Sequence, residues 1–232
     1  MPLNPKLCRY KDILPYKDNI IKISNENQYI NGSWINIPKK GSFIATQGPK
    51  DNTIEDFWQM CFDYNINVII MLCNEIENGK QKCSSYWNIK MPKNFKALNI
   101  NTIEKNDFFE QKKIEILNIK KNNKKIFSHI QYKQWPDHNI PNLHNVLLNF
   151  EKLFNFLDNN RGKFPPVIHC SAGVGRTGVF ICLYILYKEI LESIISRQTI
   201  QFNIFNLVRK IKECRLHCVE NFNQYYFIYQ FI

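Results

Sequence analysis

The chain has 232 residues, of which 44% are hydrophobic and 22% are charged. This composition excludes a collagen, a coiled coil and a wholly disordered chain, and it favours one large globular domain. The 31 basic and 20 acidic residues leave a formal net charge of +11. Three interpretations of that charge stay open: a polyanionic partner such as nucleic acid, an anionic substrate, or an excess of lysine without a specific partner.

The first half of the chain carries signals for a helix, a buried strand and a hairpin. Asn52 and Glu55 have the spacing of a capping box, which predicts a helix that runs to about Tyr64. Residues 66–72 are apolar and rich in β-branched side chains, as in a buried strand. The polar run 120–125 lies between two apolar β segments and predicts the exposed turn of a hairpin.

The second half is mainly helical by pattern. Residues 143–157 have helical periodicity, and residues 204–211 and 224–232 form two shorter amphipathic segments. Residues 179–195 begin apolar nearly all round, which predicts a central buried helix, and residues 166–169 suit a buried strand. Strands and helices mix without a regular alternation. The pattern therefore predicts an α/β or α+β domain built on one mixed sheet. Of the two we expect the α/β class, a single domain with a twisted mixed β-sheet flanked by helices.

The eight cysteines are too sparse and too irregularly spaced for a disulfide scaffold. Cys214, His217 and Cys218 come nearest to a metal cluster, but a zinc site needs four ligands at accepted spacings, so no metal or cofactor is predicted. The N-terminus has no apolar signal region, and no stretch approaches the roughly 20 apolar residues of a membrane span. We therefore expect a soluble, cytoplasmic protein that does not insert into membranes.

The most informative segment is residues 167–178, Val-Ile-His-Cys-Ser-Ala-Gly-Val-Gly-Arg-Thr-Gly. An apolar strand leads into a glycine-containing loop and then into an apolar helix, an arrangement that binds phosphate through backbone N–H groups and a helix N-terminus. Cys170 opens the loop and Arg176 ends it. A thiol at this place is expected to be a nucleophilic thiolate, and the arginine fork can hold two phosphoryl oxygens. The backbone that binds the phosphate is expected to come from Ser171, Ala172, Gly173, Val174 and Gly175.

A cysteine and an arginine at this spacing are weak evidence alone, and a buried cysteine near a capping arginine is the alternative. The strand before the loop, His169 beside the thiol and the helix after it favour the phosphate site. A phosphate ester also needs an acid for its leaving oxygen. Asp137 is a candidate on a loop stiffened by Pro136 and anchored by Trp135, although Trp-Pro-Asp is equally typical of a turn.

Several separated motifs, in order along nearly the whole chain, make it similar to the catalytic domain of the cysteine-dependent, tyrosine-specific protein phosphatases. The motifs are Arg9-Tyr10-Lys11-Asp12, Tyr29-Ile30-Asn31-Gly32-Ser33, Phe43-Ile44-Ala45-Thr46-Gln47-Gly48-Pro49, Asp56-Phe57-Trp58, Glu77-x-Gly79 with Lys82-Cys83-x-x-Tyr86-Trp87, Gln131-Tyr132-x-x-Trp135-Pro136-Asp137, the loop from His169 to Gly178, and Gln224-Tyr225-x-Phe227.

The resemblance implies hydrolysis of protein phosphotyrosine through a phosphocysteine intermediate, without a metal. Cys170 matches the nucleophile, and Arg176 matches the phosphate clamp that stabilises the transition state. Asp137 matches the acid that protonates the departing tyrosine and then serves as base. Thr177 matches the hydroxyl that helps the thiolate leave in the second step.

The resemblance also implies a set of binding residues. Tyr10 is expected to stack on the phosphotyrosine ring, Asp12 to hold the substrate backbone, and Glu77 to orient the arginine. Gln224 matches the second glutamine of the family and is expected to act in catalysis and substrate binding, and Trp135 is expected to anchor the loop that carries Asp137. A deep pocket of this kind selects tyrosine, because phosphoserine is too short to reach a thiolate at its floor.

Three residues depart from the family pattern. Glu220 stands where a glutamine usually positions the hydrolytic water, and we expect its charge to slow the second step. Asn139 replaces a glycine after Asp137-His138, and the acid loop is still expected to close because Asn tolerates positive φ. His217 replaces a small residue at the pocket mouth and is expected to narrow access.

We therefore expect residues 1–232 to be one near-minimal catalytic domain that acts as a monomer on tyrosine-phosphorylated proteins or peptides. The alternative is a trap or pseudophosphatase that binds phosphotyrosine with little turnover, for which Glu220 is the support. Hydrolysis of phosphoinositides would favour lysines in residues 171–175, which contain none. No motif favours nucleic acid. Two interpretations of the net charge therefore stay open: it steers anionic substrates toward the pocket, or it is an excess of lysine without a specific role.

Overall fold

The computed structural model describes residues 5–24, 29–88, 91–137 and 139–232. In chain order the elements are β1 (Gly32–Ile37), β2 (Gly41–Thr46), α1 (Ile54–Asp63), β3 (Val68–Met71), β4 (Ile76–Glu77), β5 (Lys80–Gln81), β6 (Phe95–Lys105), β7 (Phe109–Asn118), β8 (Asn123–Tyr132), α2 (Leu143–Arg161), β9 (Val167–His169), α3 (Gly175–Ser196), α4 (Ile204–Cys214) and α5 (Phe222–Phe231).

The main sheet has the strand order β1-β2-β9-β3-β8-β7-β6. Its centre is parallel, because β9 pairs with both β2 and β3, and β3 also pairs with β8. The pairs toward the two edges are antiparallel. Parallel strands are normally covered on both faces, and every residue of β3 and β9 is buried. The two strands predicted at residues 66–72 and 166–169 are thus confirmed, at the middle of the sheet.

The hairpin predicted around residues 120–125 is confirmed, but its turn is shorter than predicted, because residues 123–125 already belong to β8 and pair with β7. β7 and β8 pair in antiparallel register up to Asn118 opposite Asn123. The Asn118 side chain accepts a hydrogen bond from the Lys121 N–H (3.1 Å), and Asn122 has a φ of 44°. Asparagine tolerates this left-handed conformation better than most residues. Lys120 and Lys121 are exposed at the tip.

The helices flank this sheet and carry the predicted apolar faces inward. The first twelve residues of α3 are all buried, and α3 packs against β9, α4 and α5. α2, α4 and α5 each begin after an asparagine whose side chain accepts a hydrogen bond from the N–H three residues later: Asn142, Asn203 and Asn221. The predicted α/β domain with a mixed sheet between helices is confirmed. Among the described residues, none of the helices is both long enough and apolar enough to cross a membrane.

The capping box predicted at Asn52 is wrong. A single 3-10 turn at Asp51–Thr53 precedes α1, and the Lys50 N–H donates to Thr53 Oγ1 (2.9 Å) within that turn. The Asn52 side chain instead donates to the Lys6 carbonyl (3.4 Å), so it is used to attach the N-terminal segment rather than to cap the helix. The helix itself ends at Asp63, next to the predicted Tyr64.

Candidate active site

The loop between β9 and α3 is folded around one glycine. Gly173 has a φ of +72°, and a Cβ at this position would lie 2.0 Å from the Thr46 carbonyl oxygen at the end of β2. Only glycine fits there. The tight turn brings the Gly173 N–H to within 3.3 Å of Cys170 Sγ. The Cys170 side chain is 3% exposed and lies at the floor of a cavity.

A buried arginine supports this loop from below. Arg215, at the end of α4, is fully buried and donates to the carbonyls of Ala172 (3.0 Å) and Gly173 (2.9 Å). Its other hydrogen bonds go to Asn31 Oδ1 (2.7 Å) and Ser33 Oγ (3.1 Å). Because the loop carbonyls are engaged by Arg215, the loop presents its N–H side to the cavity, where an anion can be bound.

Arg176 is held by two carboxylates. Its two Nη atoms donate to the two oxygens of Glu77 (2.7 and 3.0 Å), and Nη2 also donates to Asp137 Oδ1 (3.0 Å). Nη1 donates further to the Trp135 carbonyl (3.1 Å). Burial alone would lower the pKa of Arg176, but the hydrogen bonds to Glu77 and the neighbouring Cys170 charge outweigh it and raise that pKa. The guanidinium is therefore a permanent charge at the cavity floor.

Glu77 is positioned by a small hairpin. β4 and β5 pair across Asn78 and Gly79, which both have positive φ (51° and 71°). Two left-handed residues form the tight turn that suits a two-residue hairpin. The Asn74 N–H also donates to Glu77 Oε1 (2.9 Å). The carboxylate that faces Arg176 is thus fixed before any ligand binds.

Asp137 has a second cationic partner that sequence reasoning missed. Its Oδ2 accepts a hydrogen bond from Lys82 Nζ, and the Lys82 residue is 6% exposed. Burial alone would lower the pKa of Lys82, but the bond to Asp137 raises it. The loop that carries Asp137 is bridged by a hydrogen bond from Trp135 Nε1 to the Asn139 carbonyl (3.1 Å). His138, between these two residues of the loop, lies outside the described residues.

Most of the predicted residues meet around one cavity of about 200 Å³. The Ser171 hydroxyl donates to the Lys82 carbonyl (3.0 Å), so the Tyr10 hydroxyl donates to Ser171 Oγ (2.9 Å) and fixes one wall. Residues that line the cavity are Tyr10, Asp12, Ile13, Asp137, Cys170, Ser171, Ala172, Gly175, Arg176, Glu220 and Gln224. Ile13 was not predicted.

Glu220, just before α5, and Gln224, in the first turn of α5, lie against Gly175 at the start of α3. The Glu220 N–H donates to Gln224 Oε1 (2.8 Å). A Cβ at Gly175 would lie 2.9 Å from Glu220 Oε2 and 2.8 Å from Gln224 Nε2. Gln224 is buried and Glu220 is exposed. A carboxylate thus stands at the cavity wall beside the loop between β9 and α3.

Other predicted residues support the cavity without lining it. Two of them, Trp135 and Glu77, accept hydrogen bonds from Arg176. The other two, Gly173 and Val174, shape the loop and are not among the residues that line the cavity. Thr177 is fully buried, and its Oγ1 has no hydrogen-bond partner in the described part of the chain. A bond between this hydroxyl and Cys170 is therefore not formed here.

Two sequence predictions remain, for Asn139 and His217. Asn139 is not among the described residues with a positive φ, so its tolerance of that conformation is not used here. His217 is exposed with a φ of 64° and is not among the residues that line the cavity.

Lys82 and Arg215 were missed as site residues. Lysine and arginine are mostly exposed in proteins, so no local pattern signals that these two are buried at the site.

The described arrangement matches a known family. The family model for protein-tyrosine phosphatase matches residues 4–232. Tyrosine-protein phosphatase non-receptor type 20 of Rattus norvegicus is 38% identical over 97% of this chain, which covers 53% of that protein. The chain spans about half the length of this relative and of its mouse and human counterparts.

Two solved structures are similar in fold. The catalytic domain of human protein tyrosine phosphatase non-receptor type 18 has a TM-score of 0.85 and 30% identity, over 99% of this chain and 84% of that one. PTPN18 in complex with HER2-pY1196 phosphopeptides also has a TM-score of 0.85, with 29% identity over 100% of this chain and 81% of that one. The chain belongs to the protein-tyrosine phosphatase family.

Proposed function

We propose that this chain hydrolyses phosphotyrosine in proteins through a phosphocysteine, with Cys170, Arg176 and Asp137 as its catalytic residues. The observation that carries the proposal is their common position around one cavity, where Asp137 Oδ1 lies 3.0 Å from Arg176 Nη2 and Cys170 lies at the floor. A nucleophile, an anion clamp and an acid are the three groups that transfer of a phosphoryl group through a thiolate requires.

In the first step the Cys170 thiolate attacks phosphorus, so that an S–P bond forms as the P–O bond to the tyrosine breaks. Asp137 gives its proton to the departing phenolate oxygen. The loop N–H groups and Arg176 stabilise the charge on the equatorial oxygens of the phosphoryl group. The positive end of α3 adds to this field.

Substrate binding changes the partners of Arg176. In the described structure its Nη2 is shared between Glu77 and Asp137. An incoming phosphoryl group takes the place of Asp137, whereas the bidentate pair with Glu77 keeps the guanidinium in its orientation. Lys82 remains beside Asp137 and holds the acid at the cavity while this exchange takes place.

In the second step water attacks the phosphocysteine, Asp137 accepts a proton from that water, and the S–P bond breaks to release phosphate. Gln224 lines the cavity, and in the proposed mechanism its side-chain amide holds the water. Glu220 lines the same cavity and brings a negative charge toward the phosphoenzyme. We propose that this charge makes hydrolysis of the phosphocysteine slower than its formation.

The Glu220 hypothesis is tested by rapid mixing. We expect a burst of phenolic product, close to one per active site, followed by a slower steady state. Glu220→Gln should raise the steady-state rate about tenfold, as removal of one unfavourable charge of roughly 1.4 kcal/mol would do. Equal steady-state rates in the two proteins would refute the hypothesis.

The proposed substrates are tyrosine-phosphorylated proteins or peptides. The support is the depth of the thiol in the cavity, at 3% exposure, together with the family membership. We propose that the enzyme acts as a monomer in the cytoplasm, where its eight free, buried cysteines stay reduced. Residues 1–232 would form the catalytic domain. A longer protein that contains this domain would have the same activity.

The decisive assay compares turnover of a phosphotyrosyl peptide and of a phosphoinositide. Wild type should hydrolyse the peptide, and Cys170→Ser should abolish turnover. Asp137→Ala should lower kcat by about a hundredfold or more, because the leaving oxygen loses its acid. Tight binding without turnover by wild type would instead favour a phosphotyrosine trap, and preference for the phosphoinositide would contradict the proposal.

A further inference from the structure

Behind the catalytic cavity lies a chain of hydrogen bonds that the mechanism above does not use. Tyr86 Oη lies 2.8 Å from His129 Nε2 and 2.9 Å from His169 Nε2. His169 Nδ1 lies 3.1 Å from the Cys170 carbonyl oxygen. All three side chains are completely buried, and none of them lines the cavity.

The direction of the three bonds follows from their ends. A carbonyl oxygen only accepts, so His169 Nδ1 carries a proton. Burial lowers the pKa of His169 to about 4, with Arg9 and Arg176 acting in the same direction, so the ring is neutral at pH 7 and its Nε2 is an acceptor. Tyr86 therefore donates its hydroxyl proton to His169.

The same logic reaches His129. Because the Tyr86 proton is already donated to His169, the Tyr86 oxygen accepts from His129, whose Nε2 carries the proton. His129 is also neutral: burial, the Lys112 ammonium and His169 all lower its pKa. Its Nδ1 is then a bare lone pair, and within the described residues this buried atom has no hydrogen-bond partner. All three bonds thus donate in one direction, from β8 toward Cys170.

The carbonyl at the end of this chain is confined on another side as well. A Cβ at Gly48 would lie 2.7 Å from the Cys170 oxygen, and the Gly48 N–H donates to the Ser171 carbonyl (2.9 Å). The peptide groups on both sides of Ser171 are thereby confined, the first by His169 and by the close approach of Gly48, the second by the Gly48 N–H. A hydrogen bond to the Cys170 carbonyl also polarises the N–H of the same peptide group, because aligned hydrogen bonds strengthen one another.

We propose that His129 is a positioning residue for the nucleophile. It donates to Tyr86, which aligns Tyr86 with His169 and His169 with the Cys170–Ser171 peptide group, and so stabilises the thiolate. This inference rests on the proposed role of Cys170 as nucleophile.

The test uses two substitutions of similar size, one with an N–H donor and one without. His129→Gln can place an amide N–H where His129 Nε2 lies, whereas His129→Leu removes the donor at similar volume. The first readout is the rate of Cys170 alkylation by iodoacetamide as a function of pH, and the second is kcat and KM for a phosphotyrosyl peptide. His129→Leu should raise the midpoint pH of alkylation and lower kcat about three- to tenfold with KM unchanged, the loss expected for one hydrogen bond. His129→Gln should restore most of both.

A double-mutant cycle separates positioning from loss of packing. Tyr86→Phe breaks the chain, so in that background His129→Leu and His129→Gln should behave alike. Thermal unfolding confirms that each variant folds, and His129→Asn, whose shorter amide does not reach Tyr86, replaces His129→Leu if the latter does not fold. Wild-type behaviour of a folded donor-free variant, or equal losses with Gln and Leu, would overturn the inference. Alkylation reports on the thiol without turnover, so an enzyme that fails to hydrolyse phosphotyrosine leaves this result readable.

Discussion

Thr177 carries a buried hydroxyl that makes no hydrogen bond to the described residues. Leaving such a group unpaired costs about 1–3 kcal/mol, so its presence at the start of α3 is not explained by stability. In the proposed mechanism the hydroxyl has a use only when sulfur leaves phosphorus in the second step, since it can then stabilise the thiolate. A group that is unsatisfied in the resting protein is available for a partner that forms during the reaction.

Thr177→Val is expected to leave the free energy of unfolding unchanged or to raise it slightly, because the shape is kept and no existing hydrogen bond is lost. Breakdown of the phosphocysteine should slow about tenfold or more, the effect of losing one donor to a developing charge. Rapid-quench measurement of the phosphoenzyme would detect it. Tyr132→Phe is the matched control, since Tyr132 on β8 also has a buried hydroxyl without a partner among the described residues, and its phosphoenzyme should break down at the wild-type rate. Accumulation in both variants would contradict a specific role for Thr177.

At the scale of elements, the site depends on how closely β9, its loop and α3 approach β2. The contact of Gly173 with the Thr46 carbonyl leaves no room for a side chain. Gly79, in the β4–β5 turn, has a nearly equal φ of +71°, but a Cβ there would meet nothing within 4 Å. Alanine substitutions at Gly173 and Gly79 therefore separate the cost of a left-handed backbone from the cost of a steric clash.

Gly79→Ala should lower the free energy of unfolding by about 1 kcal/mol, the cost of a left-handed alanine. Gly173→Ala should lower it by about 3 kcal/mol or more, because the backbone has to shift as well. It should also abolish phosphate binding, since the loop N–H groups move. Urea unfolding and the affinity for inorganic phosphate measure the two effects. Equal stability losses in the two variants would show that the loop relaxes without strain.

The sequence predicts elements and site residues where the signal is local. The loop from Cys170 to Arg176 could be predicted because strand, glycines and helix follow one another directly, and the β7–β8 turn because polar residues separate two apolar runs. The capping box predicted at Asn52 was wrong because the side chain of a good cap residue can bind elsewhere, here to the Lys6 carbonyl. Lys82 and Arg215 could not be predicted as buried, since their partners Asp137, Asn31 and Gly173 lie far away along the chain.

At the scale of the whole molecule, burial of the two histidines links the fold to pH. Burial lowers the pKa of His169 from 6.5 to about 4, and it lowers the pKa of His129 in the same direction. Between these pH values the unfolded chain binds more protons than the folded protein, so stability falls as the pH is lowered. Burial of Asp56 raises its pKa to about 6, which acts in the opposite direction over much of the same window.

The free energy of unfolding should therefore decrease between about pH 6.5 and 4, with about 3 kcal/mol contributed by His169. His169→Asn keeps a donor near the Cys170 carbonyl and removes the titrating group, so its stability should depend less on pH across this window. Asp56→Asn should make the decrease steeper. Denaturation at several pH values gives these slopes directly, and a His169→Asn slope equal to that of wild type would rule out His169 as the source.

The net charge of +11 also acts at this scale. Much of the excess is exposed lysine, as at the tip of the β7–β8 hairpin, and a positive surface attracts dianionic phosphate groups over about one Debye length. We expect kcat/KM for an acidic phosphopeptide to fall several-fold as salt is raised from about 0.05 to 0.5 M, while kcat stays nearly constant. A kcat/KM that does not change with salt would mean that the lysines have no part in substrate capture.

The hydrogen bonds of Arg215 also determine at which stage of folding the loop between β9 and α3 becomes ordered. These bonds join the loop between β9 and α3 to Asn31 and Ser33, which are 184 and 182 positions away from Arg215 along the chain. Contacts between such distant segments form slowly, because a long stretch of chain must be ordered before they are gained. The loop carbonyls have no comparable support until then, so a refolding chain should acquire its secondary structure first and its affinity for phosphate only in the last kinetic phase.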